Sequence, residues 1–299
     1  MESARLLVII LHFGCVKDTV ECLDSLQVVT QPLDIFVVNN GPDESVEKVL
    51  KAKHSNIIYR HAGIETGFAA GNNIGLRFSL DHSYRYSLLL NNDVVAEHDF
   101  VRPLIHTLSS DSTTAMAGPA IYVYDNKEQL WSCGGKIRWW SGGLGGVTTV
   151  SHPNLEEVDV DYLPGACILV RNKALETIGL LSEEYFLGVE EAEWAVRARR
   201  AGFRVVACPK SVLLHKVGVS SGYSSELVYN AVRNRFLFLR RNLPIVISHL
   251  LIFCVLINEI RKHRRHRWAC WRAFADHLKY RKIERSHLDR VRRYAERAL

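Results

Sequence analysis

A rhythm in the first third of the sequence narrows the fold more than any single motif does. Short, continuously apolar runs alternate with stretches of helical pattern. Strands are expected over 5–11, 34–38, 56–60 and 86–90, and helices over 19–26, 45–53 and 74–80. Runs such as Leu6-Leu7-Val8-Ile9-Ile10-Leu11 have no polar alternate position, so both faces of the strand have to be covered. A strand–helix–strand order supplies that cover by laying crossover helices on the two faces of a sheet. The expected fold class is α/β, with a mostly parallel central sheet flanked by helices.

Beyond residue 110 the rhythm loosens. Strands are expected over 115–123, 162–171 and 204–208, the last stopped by Pro209. Helices are expected over 173–178, closed by Gly179, and over 190–200, ended by Gly202. Residues 131–150, which include WSCGGKIRWWSGGLGG, read as a long loop or hairpin. A chain of 299 residues has room for one large domain and a helical appendage.

Charge is divided along the chain. From Lys216 onward there are 19 Lys plus Arg against 6 Asp plus Glu, a net +13, whereas the whole chain carries only +6. A basic tail on an acidic body points to an anionic partner. Residues 243–257 (LPIVISHLLIFCVLI) hold no formal charge over 15 positions. That falls short of the ~18–20 residues a bilayer crossing needs. RKHRRHR follows at 261–267. An apolar stretch beside a basic cluster fits an interfacial segment on an anionic membrane surface. A buried helix with a solvated basic end is the alternative. No nucleic-acid-binding motif surrounds the cluster, so nucleic acid is not an expected partner. The seven cysteines are odd in number and form no Cys-x-x-Cys pair, which argues against a disulfide framework. The apolar run 6–11 is too short for a signal-peptide core. The expected location is cytoplasmic, peripheral on the inner face of the cell membrane.

Five local patterns carry chemistry. Asn91-Asn92-Asp93 directly follows the strand at 86–90. Ligands in open α/β sheets sit beyond the carboxyl ends of strands, and a carboxylate there can hold Mg²⁺ or Mn²⁺ against substrate phosphates. A plain Asx turn is the competing reading. Asn39-Asn40-Gly41 ends the second strand; Asn39 could bond a base or ribose, though Asn-Gly is also an ordinary turn signal. In Gly67-Phe68-Ala69-Ala70-Gly71-Asn72-Asn73 the glycines allow close backbone approach, and the asparagines can cap a following helix whose N-terminus faces an anion. Glu190, Glu191 and Glu193 crowd a helix start, where acidic residues also suit the dipole. Glu190 and Glu191 point in different directions, so one can orient a group while the other takes a proton. His215 ends an apolar run and can complete a divalent metal site with a carboxylate.

Taken in order, strand–NNG, GFAAGNN, LLLNND, PGACILVRNKALETIG, FLGVEEAEWAVRARRAGFRV and LLHKVGVSSG resemble the family-2 glycosyltransferases, especially their rhamnosyltransferase-like branch. The resemblance implies a GT-A fold over 1–225, with a nucleotide-binding half at 1–110 and an acceptor and catalytic half at 111–225. A basic, membrane-associating helical segment follows at 226–299. It implies nucleotide contacts from His12, Asn39, Gly67, Asn72, Asn73 and Asn92, and a divalent metal (Mn²⁺ or Mg²⁺) held by Asp93 and His215. Glu191 becomes the general base of a single inverting displacement, with Glu190 beside it. Trp131, Trp139 and Trp140 of the Gly-rich middle are candidates to stack on an acceptor sugar, with core packing the equal alternative for at least one of them, and Gly165, Ala166 and Trp194 are further candidates for the acceptor or sugar. Arg233 could reach a phosphate, or be solvated or salt-bridged. The implied donor is a nucleotide-diphosphate sugar, dTDP-rhamnose before UDP- or GDP-sugars, and the implied acceptor is a glycan or lipid-linked glycan. Two departures stand out: the usual base is Asp, and the metal motif keeps one carboxylate.

Other functions fit less well. A sugar-nucleotide pyrophosphorylase needs a Gly-rich basic loop after the first strand, where this chain has HFGCVKDTVE. A nicotinamide dehydrogenase needs a dinucleotide fingerprint that is missing. A non-catalytic, nucleotide-binding scaffold at a membrane surface is the remaining alternative.

Overall fold

The computed structural model describes residues 5–63, 66–139, 143–147, 155–216 and 224–279. Its first half follows the expected order: β1 (Leu6–His12), α1 (Val16–Ser25), β2 (Leu33–Asn39), α2 (Val46–Lys53), β3 (Ile58–His61), α3 (Gly67–Asp81) and β4 (Tyr86–Asn91). The short β5 (Val94–Val95), α4 (Val101–Ser110), β6 (Thr114–Val123) and β7 (Asn126–Ser132) come next. β8 (Gly135–Arg138) and β9 (Gly143–Val147) form a separate hairpin within the Gly-rich middle. β10 (Val158–Asp159), β11 (Cys167–Arg171), α5 (Asn172–Ile178), α6 (Glu190–Arg200) and β12 (Arg204–His215) complete the sheet and its cover. Three helices end the described chain: α7 (Ser225–Asn242), α8 (Ile245–Lys262) and α9 (Arg267–Lys279).

The sheet order is β3-β2-β1-β4-β11-β6-β12-β10, with β5 on β12 and β7 on β6. β1 is parallel to β2 and β4, and β2 is parallel to β3. β11 runs against both β4 and β6, while β12 is parallel to β6. One reversed strand inside a parallel sheet brings the start of β11 beside the end of β4.

β1 shows why the sequence lacks polar alternation. Leu6, Val8 and Ile10 pack on one face with α1, α2 and α4; Leu7, Ile9 and Leu11 pack on the other with α3, α5 and α6. Successive side chains leave a strand on opposite sides, so a doubly covered strand is apolar at every position. α3 lies especially close to β1. A Cβ on Gly71 would come within 2.5 Å of Leu11 Cδ1, and one on Gly75 within 2.4 Å of Ile9 Cγ2. Spacing of four residues puts both glycines on the face that meets the strand.

Several elements depart from expectation. α3 begins at Gly67 rather than at 74, so Asn72 and Asn73 lie inside the helix and do not cap it. β12 continues past Pro209 to His215, with its register against β6 shifting between Cys208 and Val212. The proline falls at that irregularity, the place where a strand tolerates a missing donor. α4 has no counterpart in the sequence expectation; Pro103 sits in its first turn, where the absent N–H costs nothing. All seven cysteines are free thiols in this structure.

Candidate functional site

Four sequence patterns meet at the carboxyl edge of the sheet. His12, Asn39 and Asn91 end β1, β2 and β4. α6 leads into β12, which runs parallel to β6, so the N-terminus of α6 faces the same edge. A short relay of contacts joins the two halves there. Asn91 N donates to Ala166 O at 3.0 Å, and a Cβ on Gly165 would lie 3.0 Å from the Phe68 ring. Phe68 N donates to Phe186 O at 2.9 Å, four residues before Glu190.

Asp93 and His215 stand side by side. β5 and β12 pair antiparallel with His215 opposite Val94, which brings His215 Nε2 to 3.1 Å from Asp93 Oδ1. Lys216 N donates to Asp93 O at 3.0 Å and locks the two segments together. Two donors each ~2.1 Å from one octahedral cation would themselves be about 3 Å apart. The pair therefore fits adjacent positions on a divalent ion, and carboxylate plus imidazole is a donor set that suits Mn²⁺. Among the described residues no group of three His, Cys, Asp or Glu side chains is poised for a metal. Water and a diphosphate would have to complete the shell. The other ring nitrogen of His215, Nδ1, is buried without a hydrogen-bond partner, and Trp131 packs edge-on against the ring at 4.6 Å.

Glu190 and Glu191 open α6. Gly188 and Val189 just before them both have left-handed backbone, φ 86° and 80°. That conformation is strained for a β-branched residue and marks a backbone held by its surroundings. The restraints are visible. From α3, Asn73 Nδ2 donates to Leu181 O and Glu183 Oε1, both at 2.9 Å, and Asn73 Oδ1 accepts from Leu181 N at 3.1 Å. From α7, Asn234 Nδ2 donates to Leu187 O at 3.0 Å and Gly188 O at 2.8 Å, and Arg233 Nη1 donates to Glu184 O at 2.6 Å. Gly67 leaves no space for a side chain, since a Cβ there would lie 2.3 Å from Phe186 O.

Burial pushes both carboxyls above the ordinary range, and for Glu190 the neighbouring Glu191 charge pushes the same way. Glu190 is almost wholly buried and its Oε2 has no hydrogen-bond partner, while Glu191 is partly exposed. Tyr162 lies close to this pair; burial and then the Glu191 charge raise its phenol.

The remaining sequence candidates fall into three groups. Asn92 is buried, donating to Phe13 O at 3.1 Å and Thr19 Oγ1 at 3.0 Å. Thr19 Oγ1 also lies 2.6 Å from His12 Nδ1, and burial lowers His12 to about 4, against a smaller opposing effect of Asp43. Both polar ends of Asn39 are spent in its own turn, Oδ1 accepting from Gly41 N at 2.9 Å and Nδ2 donating to Asp43 O at 2.7 Å. Asn72 Nδ2 returns to Phe68 O at 3.0 Å.

Three expectations need correction. Trp194 does not line an acceptor cleft: it is fully buried, with Nε1 donating to Gly179 O at 2.8 Å, because its side of α6 faces the sheet. Asn73 does not face a nucleotide: among the described residues its side-chain amide bonds Leu181 and Glu183 in the loop before α6. Arg233 is neither solvated nor free to reach a phosphate; it is buried, and burial lowers its pKa. Trp139 stacks on Phe238 of α7 at 5.4 Å, so part of its surface is structural. Trp140 lies outside the described residues.

Some residues at the edge were not singled out in the sequence. Asn40 Oδ1 accepts from Thr66 N and Oγ1, both at 2.9 Å, tying the end of β2 to the start of α3. Lys216 Nζ is held by Asp18 Oδ1 at 2.6 Å and Glu21 Oε2 at 2.7 Å. Tyr162 and Asn234 belong here too. For Arg233 a signal existed: with Tyr229, Val232 and Phe236 it completes a helical stripe of buried positions.

An α/β sheet with antiparallel β11 set between β4 and β6, flanked by helices on both faces, has the architecture of the GT-A class. The family model for glycosyl transferase family 2 matches residues 7–179, more than half the chain, and the protein belongs to that family. A low-salt glycan biosynthesis hexosyltransferase of Haloferax volcanii is 30% identical over 210 residues, 68% of this chain and 66% of that protein. The aligned part is thus just under two thirds of the archaeal relative. A dTDP-rhamnosyl transferase of Shigella flexneri is 26% identical over 240 residues, covering 74% of this chain and 79% of that one. The fold is that of GalNAc-T7 solved with UDP, GalNAc and Mn²⁺: TM-score 0.61, 15% identity, 94% of this chain and 58% of that one. It is also that of a mannosyltransferase from Pyrobaculum calidifontis solved with GDP-Man and Mn²⁺: TM-score 0.57, 13% identity, 96% and 78% covered.

Proposed function

We propose that this protein is an inverting glycosyltransferase that moves a hexose, rhamnose before others, from a nucleotide diphosphate to a hydroxyl of a glycan or lipid-linked acceptor. The observation that supports the reading is the shared edge: Asp93 follows β4 and pairs with His215 at the end of β12, while Glu190 and Glu191 begin the helix that leads into β12. The relatives' printed activities support hexosyl transfer, and those from Shigella flexneri and Mycobacterium tuberculosis are named for rhamnosyl transfer. A divalent cation bound by Asp93 and His215 would neutralise negative charge on the departing diphosphate.

The chain's own residues do the rest. Glu191, ionised, accepts the acceptor's hydroxyl proton as that oxygen bonds to the anomeric carbon and the bond to the diphosphate oxygen breaks. Attack from the opposite side inverts the centre through an oxocarbenium-like transition state. A raised pKa makes Glu191 a stronger base than an exposed glutamate, which suits a weakly acidic hydroxyl. The buried loop contacts hold it at a fixed height above the sheet, and its extra methylene over Asp lengthens its reach.

The test is Glu191→Gln. Loss of the base is expected to lower transfer by about 10²- to 10⁴-fold, while nucleotide affinity by calorimetry stays within twofold or so of the native protein. Undiminished transfer in this variant, or no transfer by the native protein with any nucleotide sugar, rejects the assignment.

A further inference from the structure

α8 buries one stripe only. Ser248, Ile252, Val255, Leu256 and Glu259 face α7 and α9. The opposite side is equally apolar yet open: Ile245, Val246 and Leu250 are 68, 69 and 65% exposed, and Phe253 is 54% exposed. A helix that is apolar all round belongs in a core or in lipid, and a contiguous open patch of this kind marks a docking surface. These side chains line a shallow depression of about 460 Å³ formed by Ile245, Val246, His249, Leu250 and Phe253. The buried-helix alternative does not hold for this face.

Charge identifies what covers it. Arg261, Lys262, Arg264, Arg265 and Arg267 are all exposed at the C-terminal end of the helix. The sole carboxylate of α8, Glu259, is buried and paired with Arg235 and His263. A second copy laid on this face would bring five more cations and no acid from α8, so it offers no charge complementary to the 261–267 cluster. An anionic lipid surface offers the opposite charge together with an apolar layer. No described helix is long and apolar enough to cross a membrane, which suits a helix lying in the interface. Trp268 and Trp271 on neighbouring α9 are about half exposed, at 49 and 53%, and tryptophan favours the headgroup level.

We propose that α8 is a membrane-docking surface, its Ile245–Phe253 face lying at the boundary between headgroups and acyl chains of an anionic leaflet and the 261–267 cations among the headgroups. This surface stands independently of the transferase chemistry. The full chain is incubated with vesicles of phosphatidylcholine alone or with a third phosphatidylglycerol, and sedimented. Binding to the anionic vesicles only, weakened by added salt, is expected. Leu250→Glu with Phe253→Glu is expected to weaken binding at least about tenfold, since burying either side chain contributes that much or more. Arg264→Glu with Arg265→Glu is expected to do the same. Both pairs are exposed, so melting temperature and nucleotide affinity should match the native protein and exclude misfolding. Equal vesicle binding by native and Leu250/Phe253 proteins overturns the proposal. So does a concentration-dependent dimer that those substitutions dissolve while vesicles are ignored, because the covering partner is then a second copy.

Discussion

Glu191 and Asp93 carry the proposed chemistry, and each makes a measurable demand on conditions. A general base has to be ionised, so activity falls as pH drops through its pKa. Burial raises that pKa. The acid limb of kcat/KM should therefore lie well above pH 4.5, the ordinary glutamate value, and towards neutrality. Titrating kcat/KM from pH 4 to 9 checks this; a limb at the ordinary value would mean that a different group takes the proton. For Asp93, chelation is expected to abolish transfer and Mn²⁺ to restore it, while Asp93→Asn should raise the Mn²⁺ concentration needed by about tenfold or more. Isothermal titration of Mn²⁺ in the presence of nucleoside diphosphate reads this directly. If Asp93→Asn binds Mn²⁺ as the native protein does, the ion sits elsewhere.

At the scale of elements, the loop before α6 shows how position is transmitted. Its carbonyls are claimed by Asn73 of α3 and by Arg233 and Asn234 of α7, so two helices fix the height at which the acids emerge. Asn234→Ala removes two hydrogen bonds to a part-buried loop and a third from Arg233 Nη1, and should cost about 1–3 kcal/mol of stability. Its more telling effect is on kcat, expected to fall tenfold or more with nucleotide affinity unchanged, because a small displacement of a catalytic group is costly. Single-turnover rates and calorimetry separate the two. A stability loss with full kcat would reduce Asn234 to a packing role. The glycine face of α3 acts similarly on the sheet. Gly75→Ala forces a methyl against Ile9 and should destabilise by about 1–3 kcal/mol in chemical denaturation.

Across the whole molecule, the buried acid has a thermodynamic signature. Glu190 has a raised folded pKa, so the folded state holds a proton that the unfolded chain has lost once pH passes 4.5. Its contribution to stability is therefore greatest at low pH and declines as pH rises from that value through the folded pKa. Glu190→Gln removes the decline. The stability difference between this variant and the native protein should widen from about pH 4.5 upward and then level off, in melts from pH 4 to 9. A difference independent of pH would show that the carboxyl is not held neutral by the fold. His12 acts in the opposite direction: its pKa is lowered to about 4, so stability is lost as pH falls from 6.5 towards that value.

Much of this architecture was written in local sequence. Unbroken apolar runs in β1 and β4 required a doubly covered sheet, Gly179 and Gly202 marked helix ends, and the order of short motifs identified the family. Those properties depend on neighbours along the chain, where hydrophobic period, backbone freedom and residue type act directly. Packing decided the rest. Trp194 and Asn73 looked like ligand-facing residues because a sequence records what a side chain can bond, not which way its helix turns. Lys216 and Tyr162 gained their places only when β12 and the reversed β11 came alongside partners distant in sequence. Likewise, an apolar segment beside a basic run was legible from the start. That the outer half of α8 stays open depended on which stripe α7 and α9 covered, because burial is a property of the partner surface as much as of the helix.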